Sequence, residues 1–406
     1  MTDTNTAVAS VEAAVGTTKY NYALGYLRAF IVVFVIAHHT ALAYHPYAPP
    51  SPASLLAQPR WWLAFPVVDT QRWSGFALLV GFNDVFFMSL MFFLSGLFTW
   101  QGLQRKGSAR FFRDRLKRLG IPFVVAAAVL APLAYYPPYL LTPNHAGPAG
   151  FWRQWLSLGS WPAGPAWFIW VLLAFDGVAA LLFTVAPSWG ESLGALTSTA
   201  SRRPVLFFAA LVAISGLSYV PMAVIFTPGA WATFGPFTFQ SSRILHYLAY
   251  FLIGVGIGSW GVDRGLLAPE ERLARRWYLW IVAAVVLFAA TSAVFVLSVT
   301  TKVQSPAWAI AADSGFVLSC AAISFALLAL FLRFVKSRSR LLDSLSANSY
   351  GIYLVHYAIV SWLLYALLPA SLPAVAKFAV VFLGAVGLSW GTAAVLRRIP
   401  AVAKLL

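Results

Sequence analysis

Two ionisable residues, Arg28 and His39, lie eleven positions apart in the first apolar stretch of the chain. Eleven residues make about three turns of an α-helix, so both side chains leave the same helix face, and His38 does not. At about 1.5 Å per residue they are about 16 Å apart along the axis. If this helix crosses a bilayer, Arg28 is near one surface and His39 lies past the midplane, where a functional role is the default hypothesis for an ionisable group. In the alternative, Arg28 extends to lipid phosphates and His39 hydrogen-bonds a neighbouring helix.

The composition is typical of a chain whose surroundings are mostly lipid. Hydrophobic residues make up 60% of the 406 residues, charged residues make up 10%, and 17 residues are tryptophan. Together with a mean hydropathy of +0.77, these values predict an all-α fold, a polytopic transmembrane helix bundle. Cys320 is the single cysteine, which rules out an intramolecular disulfide and a cysteine-based metal cluster, and we expect no metal site.

Ten stretches are long and apolar enough to cross a membrane. They cover residues 22–44, 78–101, 120–141, 166–187, 205–227, 244–261, 278–299, 307–332, 350–368 and 373–396. Residues 61–77 are also rich in aromatic side chains, but Pro66, Asp69 and Arg72 interrupt them, which predicts an interfacial loop.

The positions of the basic residues indicate the orientation of the bundle. With a cytoplasmic N-terminus, 21 of the 28 Lys and Arg residues fall in segments on the cytoplasmic side and 5 fall on the opposite side. Both termini are then cytoplasmic, and the net charge of +16 follows from topology, with membrane lipids rather than nucleic acid as partners. We expect a disordered cytoplasmic tail over 1–19, a transmembrane domain over 20–399 and a short cytoplasmic tail over 400–406.

One basic segment exceeds what orientation requires. Residues 105–118 contain seven Lys and Arg residues, and Phe111, Phe112 and Leu116 follow the apolar stripe of an interfacial helix. Such a segment can simply rest on anionic lipid headgroups. The sharper hypothesis is a cytoplasmic site for a phosphate-bearing ligand, because the planar guanidinium group donates two parallel hydrogen bonds to a phosphate.

Further polar residues fall within the predicted spans and together indicate a polar interior. They are Asn83, Asp84, Ser95, Asp176, Arg243, His246, Asp313 and His356. His356 shares a helix face with Tyr353 and Ser349. Each alone is more often a hydrogen bond between helices than a catalytic group. The motifs of common soluble enzymes, such as the Walker loop, G-x-S-x-G and H-E-x-x-H, are missing from the sequence, so any chemistry belongs to the bundle or its faces.

Five short segments in order carry a resemblance to a known family. They are Tyr26-Leu-Arg28 with His39, Met91-Phe-Phe-Leu-Ser-Gly96, Arg110-Phe-Phe-Arg-Asp-Arg-Leu-Lys-Arg118 with Pro122, Trp167-Phe-Ile-Trp170 and Ser349-Tyr-Gly-Ile-Tyr-Leu-Val-His356. Over residues 20–396 the chain resembles the acyltransferase 3 family of bacterial integral-membrane acyltransferases. Two features depart from the family pattern, since His38 precedes His39 and Asp114 interrupts the basic segment.

The resemblance implies a multi-pass protein of the bacterial cytoplasmic membrane that modifies polysaccharides or other components of the cell envelope. It would transfer an acyl group, acetyl or succinyl, to a hydroxyl of a cell-surface glycan, a lipid-linked sugar or a small natural product. The donor would be acyl-coenzyme A, a cosubstrate, with no tightly bound cofactor. The alternatives are a membrane transporter or flippase for a glycan or small anionic substrate, and a non-catalytic sensor, neither of which needs acyl-coenzyme A.

The residues fit this chemistry. A hydroxyl that attacks a thioester needs a base whose pKa is near neutral, and we assign His39 to this role. The alternative role for His39 is that of a transient acyl carrier. Arg28 would hold a phosphate or the developing oxyanion. The candidates for binding the donor are Arg113, Arg115, Arg118 and Ser95. The candidates for binding the acceptor or orienting the base are Tyr353, His356, Trp167, Trp170, Asp84 and Asp176.

Overall fold

The structure is a computed structural model that describes residues 22–57, 63–143, 145–201, 203–301 and 305–406. The predicted tail over residues 1–19 lies outside the described residues. The helices are α1 (Tyr22–Leu42), α2 (Gly75–Gly96), α3 (Thr99–Lys106), α4 (Ser108–Leu140), α5 (Gly147–Leu156), α6 (Trp167–Val185), α7 (Trp189–Ser201), α8 (Pro204–Phe226), α9 (Ile244–Trp260), α10 (Arg272–Arg275), α11 (Trp277–Thr301), α12 (Pro306–Phe334), α13 (Arg340–Leu367), α14 (Ala374–Leu396) and α15 (Pro400–Ala403). Between α8 and α9, strands β1 (Trp231–Phe234) and β2 (Phe237–Gln240) form an antiparallel hairpin.

The predicted all-α transmembrane bundle is confirmed. Within the described residues, nine helices are long and apolar enough to cross a membrane, where α2 and α3 count as one span. A tenth span results if α9 and the segment up to Arg275 count together across an 89° bend. Each of the ten predicted stretches coincides with one of the nine helices or with α9. Residues 63–74 form no long helix, in agreement with the loop predicted over 61–77.

Helix α9 begins inside the bundle and not at its end. It has 17 residues, which is about 25 Å of helix and shorter than the roughly 30 Å hydrocarbon core of a bilayer. Arg243 immediately before it forms an ion pair with Asp84, the tenth residue of α2. Arg243 therefore lies within the bundle, whereas most side chains of the β1–β2 hairpin that precedes it are exposed or half-buried.

Helix α1 lies at the centre of the bundle and packs against α2, α12, α13 and α14. Its side chains Leu27, Ile31 and Ile36 are fully buried. Helix α13 runs parallel to it, because the Tyr26 hydroxyl donates to Asp343 near the start of α13 and His39 meets His356 further along. The late Ser349–His356 segment is thereby placed beside the Arg28–His39 helix.

Helix α4 is irregular in two places. Leu116–Gly120 and Ala126–Leu130 are π-helical turns, a feature that often accompanies a functional site because the extra residue redirects nearby side chains. The first of these turns contains Arg118.

The C-terminal segment over 400–406 includes the short helix α15. Its last residue, Leu406, lines a cavity that Arg118 also lines.

Candidate active site

Arg28 and His39 lie on one continuous helix, as their spacing predicts, and α1 is unbroken from Tyr22 to Leu42. The two residues between them on the same face, Val32 and Val35, are buried. Arg28 lies inside a span, yet its side chain is exposed. A charged side chain in such a place usually faces a water-filled space rather than hydrocarbon. The two ends of this face define two parts of the site.

The first part is a cavity of about 580 Å³ at the end of the bundle where α1 begins, here called the basic cavity. Small-molecule sites are usually about 300 to 1,000 Å³ in volume. The described lining brings together arginines from four segments that are distant in sequence, namely Arg28 of α1, Arg118 of α4, Arg338 before α13 and Arg397 after α14. Asp343 is the acidic residue among the lining residues, so the cavity is strongly positive and suited to an anion.

The carboxylate of Asp343 is already engaged by the walls of the cavity. It accepts the Tyr26 hydroxyl at 2.6 Å and Nε of Arg338 at 3.0 Å. The guanidinium of Arg338 also lies over the ring of Tyr22, 5.5 Å from its centroid. Asp343 therefore holds Arg338 at the rim of the cavity and leaves an excess of positive charge for a ligand.

The second part is the histidine pair, His39 of α1 and His356 of α13, whose ring centroids are 5.3 Å apart. Nδ1 of His356 lies 2.6 Å from the carbonyl oxygen of Tyr353, which favours the tautomer with the proton on Nδ1 and a lone pair on Nε2. Nε2 of His356 and Nδ1 of His39 are both buried and have no hydrogen-bond partner among the described residues. Two buried nitrogen atoms of this kind are suited to bind a hydroxyl group.

Tyr357 completes the surroundings of the histidine pair. Its ring lies edge-on to His39 at a centroid distance of 4.9 Å. Its hydroxyl donates to the carbonyl oxygen of Leu63 at 3.3 Å, and the Tyr135 hydroxyl donates to the same oxygen at 3.1 Å. The α1–α2 connection therefore passes beside His39 and fixes the tyrosine that contacts it.

The same connection is fastened to α14 by a buried ion pair. Nζ of Lys377 lies 2.7 Å from Oδ2 of Asp69, and each side chain is only 2% exposed. Nζ also donates to the carbonyl oxygen of Leu368 at 3.0 Å. Lys377, a charged residue within an apolar stretch, thus anchors the connection.

The two neighbouring histidines face different helices. The ring of His38 lies 5.3 Å from that of Phe87 on α2, whereas His39 contacts α13. The rotation of about 100° between successive helix residues causes this difference. Only His39 joins the pair with His356.

The basic segment is divided by the fold. Arg118 lines the basic cavity, and Arg113 is exposed and is not among the lining residues. Nε of Arg115 lies 3.2 Å from Oδ2 of Asp176, whose side chain is 1% exposed. The Asp176 carboxylate also accepts the Thr99 hydroxyl at 3.3 Å. The structure thus brings Asp176 to Arg115 and not to the histidine pair, and this contact joins α4 to α6.

Asp114, the acidic residue within the basic segment, is paired with Lys106. The Lys106 ammonium group donates a hydrogen bond to this carboxylate. The carboxylate is therefore compensated at the surface and is not directed at the arginines of the basic cavity. The departure from the family pattern at this position leaves Arg118 available to the cavity.

Other predicted site residues have partners of their own. Ser95 donates to the carbonyl oxygen of Met91 within its own helix, at 2.8 Å. Asp84 binds Arg243 through two hydrogen bonds of 3.0 and 2.6 Å. The Arg243 guanidinium lies 4.5 Å from the ring centroid of Phe316. None of these contacts reaches the histidine pair or the basic cavity.

The two tryptophans of α6 meet the β1–β2 hairpin. Trp170 donates through Nε1 to the carbonyl oxygen of Thr238 at 2.8 Å. The ring of Trp167 lies 5.5 Å from that of Trp231. Tyr353 remains close to the pair, since its ring centroid is 5.7 Å from that of His356. These positions join the hairpin, α6 and α13 on one side of the site.

Sequence reasoning missed Arg338, Arg397 and Tyr357. The two arginines follow apolar stretches, where a basic residue is already expected for reasons of orientation. Tyr357 directly follows the Ser349–His356 segment, and an aromatic residue in an apolar span gives no signal of its own. The packing of α13 against α1 and α4, and of α14 against α13 and α1, brings these three residues to the site.

Comparisons with known proteins show the family of the chain. The model of a family described as "Acyltransferase domain" matches residues 21–394. A relative from Salmonella gallinarum (strain 287/91 / NCTC 13346), glucans biosynthesis protein C, is 24% identical over 57% of this chain. The matched region is also 57% of that relative, so the chain spans little more than half of its length. No solved structure matches the chain.

Proposed function

The chain belongs to the acyltransferase 3 family, and we propose that it transfers an acyl group from acyl-coenzyme A to a hydroxyl group of a glycan. The observation that carries this proposal is the arrangement along α1, with a basic cavity at Arg28 and the histidine pair at His39. The first suits a ligand with several phosphates, and the second suits a hydroxyl that must lose a proton.

The donor would bind with its phosphates in the basic cavity. Arg28, Arg118 and Arg397 come from three different helices or their ends, so a ligand with separate phosphate groups can contact all of them. Because Arg28 and His39 are about 16 Å apart along the helix, Arg28 holds a phosphate and is too distant to contact the reacting carbonyl group. The pantetheine arm then extends along the α1 face towards the histidine pair.

At the histidine pair, His39 takes the proton of the acceptor hydroxyl as its oxygen attacks the thioester carbonyl carbon. The carbon–sulfur bond then breaks, and the coenzyme A thiolate leaves and accepts the proton from the His39 imidazolium. His356 has its Nδ1 bound to a backbone carbonyl, so its Nε2 lone pair can accept a hydrogen bond from the acceptor hydroxyl or from His39. Its role is to orient the group that is deprotonated.

Separate observations support the proposed acceptor and the proposed orientation. The relative is named for glucan biosynthesis, which favours a glucan hydroxyl as the acceptor. The basic cavity contains arginines of the segments in which Lys and Arg collect, which supports an orientation with the Arg28 end of the bundle and both termini on the cytoplasmic side. The donor then enters from the bacterial cytosol, and the His39 end is nearer to the opposite face of the cytoplasmic membrane.

The test uses purified protein in lipid nanodiscs with radiolabelled acetyl-coenzyme A. Wild-type protein is expected to bind the donor and to transfer label to gluco-oligosaccharides. Arg28→Gln should weaken donor binding about tenfold or more, since it removes charge-assisted hydrogen bonds. His39→Ala should retain donor binding and lose transfer. Wild-type protein that binds no acyl-coenzyme A would contradict the proposal and favour a transporter.

A further inference from the structure

A second, smaller cavity lies between α4, α13 and the segment before α6. It is lined mainly by alanines, including Ala126 and Ala163, together with Leu130, Leu354 and Tyr357. Here it is called the alanine cavity. Its volume is about 20 Å³, which is room for one water molecule or one methyl group.

The alanine cavity adjoins the histidine pair. Tyr357 lines the cavity and contacts His39 at a centroid distance of 4.9 Å. Tyr353 also lines it and lies 5.7 Å from His356. The alanine cavity and the histidine pair therefore share two neighbouring side chains, Tyr353 and Tyr357.

The lining is apolar apart from its two tyrosines, and their hydroxyl groups are occupied. The Tyr353 hydroxyl donates to the carbonyl oxygen of Pro165, and the Tyr357 hydroxyl donates to that of Leu63. A carboxylate, such as the far end of a succinyl group, would find no free donor among these described lining residues and would be costly to bury. A methyl group would gain from leaving water.

We propose that the alanine cavity receives the end of the acyl group and restricts the donor to acetyl-coenzyme A. This inference rests on the proposed function and adds the identity of the group that is transferred. The two tyrosine hydrogen bonds hold the walls in place, so the cavity does not expand easily for a longer chain.

The test compares acetyl-, propionyl-, butyryl- and succinyl-coenzyme A as donors for the purified protein. Wild-type kcat/KM should fall about tenfold or more from acetyl to butyryl, because overfilling a packed pocket is disfavoured. Leu130→Ala and Leu354→Ala remove side-chain atoms from the wall. Each should raise the butyryl-to-acetyl ratio about tenfold while the dissociation constant for free coenzyme A changes little.

A matched control is Leu211→Ala, which removes the same atoms from a buried site on α8. It should leave the butyryl-to-acetyl ratio unchanged even if it lowers stability. In the opposite direction, Ala163→Val should fill the cavity and raise the KM for acetyl-coenzyme A without weakening the binding of free coenzyme A.

Three results would overturn the inference. They are equal use of acetyl and butyryl donors by the wild type, efficient use of the succinyl donor, and an unchanged ratio in both enlarged variants. Each would leave the proposed function intact, because transfer itself is still observed. A wild-type protein that transfers none of these groups would instead contradict the proposed function, and this inference with it.

Discussion

His39 and His356 are separated by 317 positions in the chain, yet their rings lie 5.3 Å apart across the α1–α13 contact. Each ring has a buried nitrogen without a hydrogen-bond partner in the described part of the chain. Buried polar atoms are rarely left unsatisfied without a functional reason. A hydroxyl group bound between the two rings could satisfy one or both of these nitrogen atoms.

The first prediction separates the two neighbouring histidines. His39→Ala should lower acyl transfer by more than about a hundredfold, the loss expected for a general base, because His39 contacts the pair. His38→Ala should retain substantial transfer, since the His38 ring packs on Phe87 instead. Initial rates and donor binding are measured for both variants in nanodiscs, with the amount of folded protein determined by size-exclusion chromatography. An inactive His38→Ala beside an active His39→Ala would show that the face assignment is wrong.

The second prediction distinguishes arginines within one short segment. Arg118→Gln should weaken the binding of acetyl-coenzyme A, because Arg118 lines the basic cavity. Arg113→Gln removes the same charge from the exposed surface and should leave the donor dissociation constant within about twofold. Equilibrium dialysis with radiolabelled donor measures both. Equal weakening in the two variants would indicate a general effect of positive charge and not a defined cavity.

The third prediction concerns the ion pair between α4 and α6. Asp176→Ala removes the buried carboxylate that Arg115 contacts and should destabilise the protein by about 1.5 to 3 kcal/mol, the range for a hydrogen bond to a charged group, because the partly exposed Arg115 can still reach water. The donor dissociation constant should change little in the protein that remains folded. Thermal unfolding in detergent and donor binding are measured side by side. A stable variant that binds donor poorly would return Arg115 to the donor site.

The fourth prediction tests the orientation from which a cytoplasmic donor site follows. Two single-cysteine variants, Ser337→Cys and Ser51→Cys, are made in a Cys320→Ala background. Ser337 lies before α13 near the basic cavity, Ser51 lies in the α1–α2 connection, and both are exposed. An impermeant thiol reagent applied to spheroplasts should label the cysteine at 51 and not that at 337. Permeabilisation should expose both. Labelling of the cysteine at 337 from outside would invert the topology.

The spans and half of the candidate site could be predicted from sequence, for a physical reason. A segment that crosses lipid must satisfy its backbone internally, so an apolar stretch of about 20 residues specifies a helix. Arg28 and His39 stand out because hydrocarbon disfavours them. Arg397 does not, because a basic residue after a span is expected in any case. Likewise, the partner of Arg115 lies 61 positions away at Asp176, and only helix packing shows that the two meet.

The last prediction concerns Lys377 and Asp69, which fasten the α1–α2 connection beside the histidine pair. Lys377→Met leaves the buried Asp69 carboxylate unpaired and should destabilise the protein by about 3 to 5 kcal/mol. The double variant Asp69→Leu with Lys377→Met replaces both charges by apolar groups and should recover most of that stability. Because the connection also holds Tyr357 through Leu63, the single variant should lower turnover more than donor affinity. Thermal unfolding, transfer rate and donor binding are measured for both variants, and a single variant as stable as the wild type would exclude the anchoring role.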